Sequence, residues 1–407
     1  MAQKRANKTV RSLITLLILV AILGTYYYAI TGNNPIYLVT KEGEAQHTIS
    51  DMQVRIQRML GHEPSPTPVA TTASGEWWEV YFTDPAHIND SSKPQGSIEE
   101  KLIDKIKKSE KSIHIASFEF NLDPVATALI DAHKRGVDVR WVTDNEHGIE
   151  ADSEEGHGQF AQLEKAGIEV KDDSRGALMH NKFWIFDGGT VLTGSTNITK
   201  NGIFRNNNNV IVIKSPELAT IYEREFDEMW AGEFGPTSPS TVDEQKLSIN
   251  KSPVQVLFAS EDDVADHLVT ILKAANYSIR FMAFSFTQDD MGNAIIERSK
   301  HGVDVMGIFE NTGSETKYSE LARLYNAGLP MRQDTNKGIF HHKVIIIDGK
   351  TVVTGSFNFS DNANKSNDEN VLIISNKAIA DEYLKEFERR WQESKDPDPA
   401  KMKQIVS

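Results

Sequence analysis

The order of apolar and polar positions predicts alternating strands and helices over most of this 407-residue chain. Residues 112–118 and 137–142 are short runs rich in β-branched residues, which is typical of buried strands. Residues 98–106 precede them and carry apolar side chains at helical spacing, directly after a capping signature that begins at Ser97. This alternation predicts an α/β fold in which helices flank a mixed β-sheet.

The same pattern occurs twice along the chain. The run Arg-Gly-Val-Asp-Val at 135–139, for example, returns as His-Gly-Val-Asp-Val at 301–305. Two similar halves pack most simply about a pseudo-twofold axis, as the subunits of a symmetric dimer do. We therefore expect a first repeat at 76–240, a second repeat at 250–395 and a charged, frayed tail at 396–407.

The N-terminal segment has the pattern of a membrane anchor. Four positive charges within residues 1–11 precede an uncharged run of 18 residues at 13–30. A helix of this length nearly spans the apolar part of a bilayer, and positive flanks stay on the cytoplasmic side. We expect a cytoplasmic N-terminus, a transmembrane anchor at 12–30, a stalk and Pro/Thr/Ser-rich linker at 31–75, and the catalytic region outside. A cleaved secretory signal is the alternative.

The composition narrows the classes of function. The formal net charge is −14, whereas nonspecific nucleic-acid-binding proteins usually carry a basic surface. The chain has no cysteine, which excludes disulfides, thiolate metal sites and cysteine nucleophiles. Its histidines match no common metal-binding spacing, so neither a metal nor another cofactor is expected.

Candidate chemistry lies in a motif that each half contains once. Both copies read His-x-Lys-x4-Asp and continue into Gly-Ser-x-Asn, and the two copies are 161 positions apart throughout. Residues two apart in a strand face the same side, so the His and Lys of each copy share a face. The motif residues are His180, Lys182, Asp187, Ser195 and Asn197 in the first half, and His341, Lys343, Asp348, Ser356 and Asn358 in the second.

A site shared by both halves would bring two imidazoles and two ammonium groups together. One neutral imidazole can attack as a nucleophile while the other protonates the leaving group. Ammonium, amide and hydroxyl groups can bind the equatorial oxygens of a phosphoryl group in transfer. The motif therefore predicts a double displacement at phosphorus that needs no metal ion.

The doubled motif with its trailing Gly-Ser-x-Asn resembles the signature of the phospholipase D superfamily, over about residues 76–395. The resemblance implies phosphodiester cleavage through a covalent phosphohistidine at the seam between the repeats. It assigns the nucleophile and the general acid, in some order, to His180 and His341. The residues that would hold the phosphate are Lys182, Lys343, Asn197 and Asn358, with Ser195 and Ser356 in support. Asp187 and Asp348 complete the catalytic motif, although we expect them to hold the hairpins rather than to touch substrate.

One position of this signature region differs between the repeats. Glu369 in the second half occupies the place of Asn208 in the first. The resemblance implies that an acidic residue here belongs to the substrate site and hydrogen-bonds a motif histidine. We expect Glu369 to bond to His341 and Asn208 to bond to His180. The carboxylate would raise the basicity of His341, which favours His341 as the nucleophile and His180 as the acid.

Three further acidic residues follow predicted strands near the expected site. Glu119 could lie beside the site, and Ser285 replaces it in the second repeat. We expect Asp144 and Glu310 to be solvated loop residues.

The predicted anchor places the catalytic region beside a membrane, where phospholipids are the available phosphodiesters. We therefore expect hydrolysis of a phospholipid to phosphatidic acid and an alcohol. Three alternatives stay open: a nuclease of the same superfamily, a cardiolipin-synthase-like phosphatidyltransferase, and a noncatalytic module that binds phosphate head groups. Nucleic acid is the less favoured partner because of the net charge, and the sequence leaves the head group and the oligomeric state open.

Overall fold

A computed structural model describes residues 72–240 and 245–406 of the chain. The predicted anchor at 12–30 and nearly all of the predicted linker at 31–75 lie outside the described residues. Within the part that the structure describes, no helix combines the length and the apolar character needed to cross a membrane.

Within the described residues, each half forms an eight-stranded β-sheet. The strands of the first sheet are β1 (Thr72–Ser74), β2 (Trp78–Phe82), β3 (Ser112–Ser117), β4 (Asp138–Thr143), β5 (Glu169–Asp172), β6 (Lys182–Phe186), β7 (Thr190–Gly194) and β8 (Asn209–Lys214). The strands of the second sheet are β9 (Lys246–Ile249), β10 (Ser252–Ala259), β11 (Ser278–Ala283), β12 (Asp304–Phe309), β13 (Met331–Gln333), β14 (Lys343–Ile347), β15 (Thr351–Gly355) and β16 (Glu369–Ser375).

The two sheets have the same topology. The first has the strand order β1-β2-β8-β7-β6-β3-β4-β5, and the second has the equivalent order β9-β10-β16-β15-β14-β11-β12-β13. Strand β3 pairs in parallel with β4 and antiparallel with β6. Strand β11 repeats both pairings with β12 and β14. The prediction of two similar α/β repeats with mixed sheets is therefore confirmed.

Helices connect and cover the strands. Those of the first half are α1 (Ile98–Lys108), α2 (Asp123–Lys134), α3 (Gln159–Lys165), α4 (Lys200–Phe204) and α5 (Pro216–Ala231). Those of the second half are α6 (Val264–Lys273), α7 (Asp289–Lys300), α8 (Glu320–Asn326), α9 (Asp361–Lys365), α10 (Lys377–Glu393) and α11 (Pro399–Val406). The predicted cap of α1 is present, because the Ser97 side chain accepts from the Glu100 N–H at 3.3 Å. Proline occupies the first turn of both α2 and α5, where its missing N–H is tolerated.

Apolar side chains form three clusters that give the order of the layers. One cluster lies between the first sheet and α1, α2 and α3, and another between the second sheet and α6, α7 and α8. The central cluster contains residues of both sheets together with α5 and α10. In it the Tyr222 ring lies 5.0 Å from the Phe183 ring of its own half and 5.4 Å from the Phe258 ring of the other. The halves therefore share one core, and burial of these aromatic rings favours their association.

The structure differs from the predicted boundaries at the edges of the repeats. Strand β1 pairs with β2 although it precedes the predicted start at residue 76, and β9 pairs with β10 although it precedes residue 250. The segment predicted as a frayed tail at 396–407 contains helix α11. Its Met402 is fully buried, and the Met402 carbonyl accepts from Asn326 Nδ2 of α8 at 2.8 Å. Strands β1 and β9 and helix α11 are short, and the elements that they pack against stabilise them. Their local sequence pattern alone is therefore too weak to predict them.

Candidate active site

The backbone before each motif histidine pairs with the opposite repeat. The His180 N–H donates to the Asp368 carbonyl at 2.9 Å, and the Asp368 N–H donates to the Leu178 carbonyl at 2.9 Å. The second half repeats this contact, because the His341 N–H donates to the Asn207 carbonyl at 2.9 Å. Each histidine is thus held by the loop before the last strand of the other half. Each motif histidine consequently lies at the seam where the two halves meet.

The carboxylate of Glu369 contacts His180, not His341. Glu369 Oε2 lies 2.8 Å from Nδ1 of His180. The prediction that Glu369 bonds to His341 is therefore wrong. Asp368 of the second half pairs in parallel with Met179 of the first half. The next residue, Glu369, therefore lies beside the histidine of the first half. Glu369 is fully buried, and its contact with Nδ1 orients the His180 ring.

Among the described residues, the acceptors that lie around Nδ1 of His341 are neutral. The Ser195 carbonyl oxygen and Asn208 Oδ1 each lie 3.0 Å from Nδ1 of His341. The expected contact of Asn208 with His180 is therefore also replaced by a contact across the seam. A backbone carbonyl can only accept, so Nδ1 of His341 carries the hydrogen and Nε2 is the nitrogen that can exchange a proton.

An aromatic ring lies under the reactive groups of each half. The Phe118 ring is 4.8 Å from the His180 ring and 4.9 Å from Nζ of Lys182. The Phe284 ring lies 5.0 Å from the His341 ring, with the motif lysine of that half at 4.8 Å. Each Nζ also donates to the carbonyl of its own motif histidine, at 2.8 Å and 3.0 Å. These contacts hold imidazole and ammonium group side by side.

Burial has the largest effect on protonation in the site. It lowers the pKa of His180 well below its ordinary value, and the charges of Lys182 and Lys343 lower that pKa further. The pKa of His341 falls for the same reasons. Burial also lowers the pKa of Lys182 to about 8, and it raises the pKa of Glu369 to about 7 against the charge of Lys182. The site therefore favours neutral imidazoles until an anion binds beside the lysines. Among the described residues, no three His, Cys, Asp or Glu side chains are grouped so that they could hold a metal ion.

The motif serines brace the two loops that carry the partners of the histidines. Ser195 Oγ donates to Asn208 Oδ1 at 2.8 Å and accepts from the Asn209 N–H at 3.1 Å. Ser356 Oγ accepts from the Asn370 N–H at 3.0 Å. Both serines are fully buried. Their hydroxyl groups therefore support the two loops.

The glycine before each motif serine is required by close backbone contact. A Cβ on Gly194 would lie 2.2 Å from the Asn209 carbonyl oxygen, and a Cβ on Gly355 would lie 2.1 Å from that of Asn370. Their φ angles of 149° and 151° are also unusual for other residues. The Gly-Ser pair thus lets each loop pack directly against the last strand of its sheet.

The motif asparagines differ in their surroundings. Asn197 Nδ2 donates to Glu119 Oε2 at 2.7 Å, so Glu119 does lie beside the site. Asn197 Oδ1 is buried and has no hydrogen-bond partner among the described residues. Asn358 Oδ1 is likewise buried and unpartnered within the described part of the chain. The second repeat has Ser285 at the sequence position equivalent to Glu119.

The motif aspartates lie at the far end of the motif strands and fasten the hairpins. Asp187 accepts from the backbone N–H groups of residues 110–112 at 2.7–3.1 Å. Asp348 accepts from those of residues 276–278 at 2.7–3.1 Å. Both have a positive φ, 53° and 54°, as the turn requires. These contacts agree with the expectation that the motif aspartates hold the hairpins, because each is bound by backbone amides at the end of its strand opposite to the histidine.

Two acidic residues that we expected in solvated loops are buried and bind the backbone directly before the motif histidines. Asp144 Oδ2 accepts from the Met179 N–H at 3.1 Å, and Glu310 Oε2 accepts from the Phe340 N–H at 2.5 Å. They are 1% and 3% exposed, and each fixes the residue directly before a motif histidine. The sequence did contain a signal for this shared role. The two acidic residues come at the end of corresponding strands of the two repeats, and each is followed by asparagine.

Comparisons with known proteins give results that agree with this geometry. The family model described as "Cardiolipin synthase, PLD-like domain" matches residues 102–230 and 268–391. A mitochondrial cardiolipin hydrolase of Xenopus tropicalis is 34% identical over 132 residues, which are 32% of this chain and 63% of that protein. A phospholipase D of Rickettsia bellii is 32% identical over 152 residues, 37% of this chain and 76% of that protein.

The solved structures include a similar fold. The crystal structure of phosphatidylserine synthase from Haemophilus influenzae Rd KW20 has a TM-score of 0.57 and 15% sequence identity, and the match covers 76% of this chain and 89% of that one. At this level of identity the likeness concerns the fold alone. The chain spans about 63% of the length of the first curated relatives that it matches.

Proposed function

Since this chain belongs to the phospholipase D superfamily, we propose that it is a phosphodiesterase that hydrolyses a phospholipid to phosphatidic acid and an alcohol. One observation carries the proposal. Two buried imidazoles from different repeats have Nδ1 engaged by an acceptor, and a lysine flanks each of them. This arrangement leaves two Nε2 atoms and two ammonium groups for one phosphate.

In the first step His180 is the nucleophile. The Glu369 carboxylate accepts the Nδ1 hydrogen of His180, so the lone pair of Nε2 is available to attack phosphorus. A phosphorus–nitrogen bond forms and the phosphorus–oxygen bond to the head-group alcohol breaks. The bound phosphate anion favours the imidazolium form of His341, whose Nε2 donates its proton to the departing oxygen. Lys182 and Lys343 stabilise the negative charge on the phosphoryl oxygens.

In the second step water releases the phosphatidyl group. His341, now neutral, accepts a proton from a water molecule, whose oxygen attacks phosphorus. The phosphorus–nitrogen bond breaks, phosphatidic acid leaves and His180 returns to its first state. Attack by another alcohol in place of water would transfer the phosphatidyl group through the same intermediate. The sequence favoured His341 as the nucleophile and His180 as the acid. We propose the reverse, because the acidic partner, Glu369, contacts His180.

Three observations support phospholipid as the substrate. The relatives described above are named cardiolipin hydrolase and phospholipase D. The formal net charge of −14 disfavours a long polyanion such as nucleic acid. The uncharged run at 13–30 has the length of a membrane anchor. We propose a single-pass protein with a cytoplasmic N-terminus, whose catalytic region acts on lipid at the opposite membrane surface.

The test compares alcohol release from phospholipid vesicles with cleavage of single-stranded and duplex nucleic acid, each measured without and with chelator. We expect lipid hydrolysis by the wild type and its loss in His180→Ala. The control is His301→Ala, since His301 is exposed and lies outside the site. Cleavage of nucleic acid alone would contradict the lipid assignment, and loss of turnover on adding chelator would contradict the role given to the lysines.

A further inference from the structure

An apolar residue stands two positions before each motif histidine, Leu178 in the first half and Ile339 in the second. The backbone of Ile339 is bound on both sides by the first repeat. Its N–H donates to Asn206 Oδ1 at 3.0 Å, and its carbonyl accepts from the Asn207 N–H at 2.8 Å. Ile339 is therefore held in place at the seam by hydrogen bonds, although its side chain is 41% exposed.

Leu178 makes the equivalent contacts with the second repeat. Its N–H donates to Asn367 Oδ1 at 3.3 Å, and its carbonyl accepts from the Asp368 N–H at 2.9 Å. Asn367 stands 161 positions after Asn206, so the same pair of contacts is made twice. Each repeat thus uses an asparagine side chain and a backbone amide to fix an apolar residue of the other repeat.

The side chains of these two apolar residues share a face with the motif histidines. Each segment forms a parallel bridge across the seam and is therefore extended, and residues two apart in an extended segment point to the same side. The intervening residues, Met179 and Phe340, are fully buried in the central core. Leu178 and Ile339 consequently point away from that core, to the side of the imidazoles.

Exposure rises along this face from the lysines to the apolar residues. In the second half Lys343 is 2% exposed and His341 is 8% exposed, against 41% for Ile339. In the first half His180 is 6% exposed and Leu178 is half-buried. A single exposed aliphatic side chain is common on protein surfaces. Two of them at equivalent, fixed positions beside the reacting groups indicate contact with an apolar part of a ligand.

We propose that Leu178 and Ile339 form an apolar rim that contacts the acyl chains of the phospholipid close to their ester groups. The inference rests on the proposed function and names the part of the substrate that is recognised besides the phosphate. Since the inner end of the face is buried, the glycerol and the first chain carbons of a bound lipid lie at the open end. Contact with the rim removes those carbons from water. A nucleic acid would place sugars and charged phosphates there and would gain no such contact.

The experiment compares two monomeric substrates that carry the head group with the highest turnover in vesicles. One is a dihexanoyl phospholipid below its micellar concentration, and the other is the same molecule without its acyl chains, a glycerophosphodiester. For the full-length wild type we expect kcat/KM to be higher for the acylated substrate by at least about tenfold. In Leu178→Ser combined with Ile339→Ser, this ratio should fall by about tenfold. Ile339→Leu, which keeps an apolar side chain, should retain the wild-type ratio.

The matched control is Tyr277→Ser. Tyr277 is 69% exposed, but it lies at the other end of the second sheet, where its N–H donates to Asp348. This variant should retain the wild-type ratio. Each ratio is measured on one preparation, so partial misfolding of a variant does not alter it.

The outcomes separate the rim from the proposed function. A double serine variant with the wild-type ratio overturns the rim. A wild type that acts on vesicles but cleaves both monomeric substrates equally, or neither of them, overturns the rim and leaves the proposed function standing. A wild type that releases no alcohol from vesicles overturns both.

Discussion

At the scale of residues, one difference between the repeats gives two otherwise equivalent histidines different partners, and on it rest the roles that we propose for them. Glu369 gives His180 an ionisable partner at 2.8 Å, whereas Asn208 gives His341 a neutral one at 3.0 Å. A carboxylate stabilises the imidazolium-like charge that forms on a nucleophile as it attacks, and an amide does so less. The pseudo-symmetry of the site is therefore broken by the partner at Nδ1.

The pH dependence of turnover should report Glu369. Its pKa is raised by burial to about 7, so below that pH the carboxyl group is protonated and donates to Nδ1 of His180. The imidazole hydrogen then lies on Nε2, which cannot attack phosphorus. We expect kcat to fall as the pH decreases through about 7, where Glu369 gains a proton, and to fall again as the pH rises through about 8, where Lys182 loses its charge. A pH series of kcat on saturating lipid measures this effect.

Glu369→Gln is the matched variant for this prediction. Its amide can still accept from Nδ1 but does not titrate, so the acidic limb near pH 7 should disappear. The rate at high pH should fall on the order of 100-fold, because the charge that assists the nucleophile is lost. A variant that keeps the wild-type pH profile would show that another group titrates.

The motif residues themselves could be predicted from sequence, because their spacing within each repeat is local. The partners of the histidines could not, since Glu369 is 189 positions from His180 and Asn208 is 133 positions from His341. Only the packing of the halves decides which loop meets which histidine. The simplest expectation, a partner within the same repeat, was therefore wrong for both.

At the scale of elements, the motif aspartates belong to the hairpins. Three successive backbone N–H groups converge on Asp187 at 2.7–3.1 Å, and this contact joins the β6–β7 turn to the start of β3. Asp348 does the same for the second sheet. These aspartates are thus part of the motif because they fix the strand on which His and Lys lie.

Asp187→Ala should reduce stability more than catalysis. It removes charge-assisted hydrogen bonds and places alanine at a positive φ of 53°, which together cost about 3 kcal/mol. We expect a lower free energy of unfolding in a urea titration, with kcat per folded molecule within a few-fold of the wild type. Asp187→Asn, which keeps an acceptor and tolerates this φ, should lose less. A large drop in kcat without a loss of stability would restore Asp187 to the catalytic residues.

The elements that the sequence predicted are those with a strong pattern of their own. Strands β3 and β6 are apolar runs, and α1 has a cap and an apolar face, so their existence followed from local physics. Strand β9 and helix α11 are short, and they form because a neighbour covers them. Asp144 and Glu310 were missed for a related reason, since a polar residue at a strand end looks solvated until the backbone that it binds is known.

At the scale of the whole molecule, the site exists only where the halves meet. The first half supplies His180 and the amide that holds His341, and the second supplies His341 and the carboxylate that holds His180. The shared core around Tyr222 and Phe258 keeps these parts together. Two similar α/β units thus each place a motif histidine at the seam, and the residues at one equivalent position, Glu369 and Asn208, give these histidines different partners.

The proposed anchor makes a separate prediction for the full-length protein. The wild type should remain in the membrane fraction after an alkaline carbonate wash. Leu17→Arg combined with Val20→Arg should release it, because each arginine in the middle of a spanning helix costs about 3 kcal/mol. Thr15→Ser, a conservative change within the same uncharged run, is the control and should leave the protein in the membrane fraction. A wild type recovered in soluble form and shortened at its N-terminus would support signal cleavage instead.

The most direct test of the account is the site of the covalent phosphate. A diester with a p-nitrophenol leaving group needs little help from a general acid, so His341→Ala should still form the intermediate but hydrolyse it slowly. We expect a stoichiometric burst of nitrophenol and, by mass spectrometry after an alkaline quench, the phosphoryl group on His180. His180→Ala should give no burst. A burst in His180→Ala with the phosphoryl group on His341 would contradict the assignment of the two histidines.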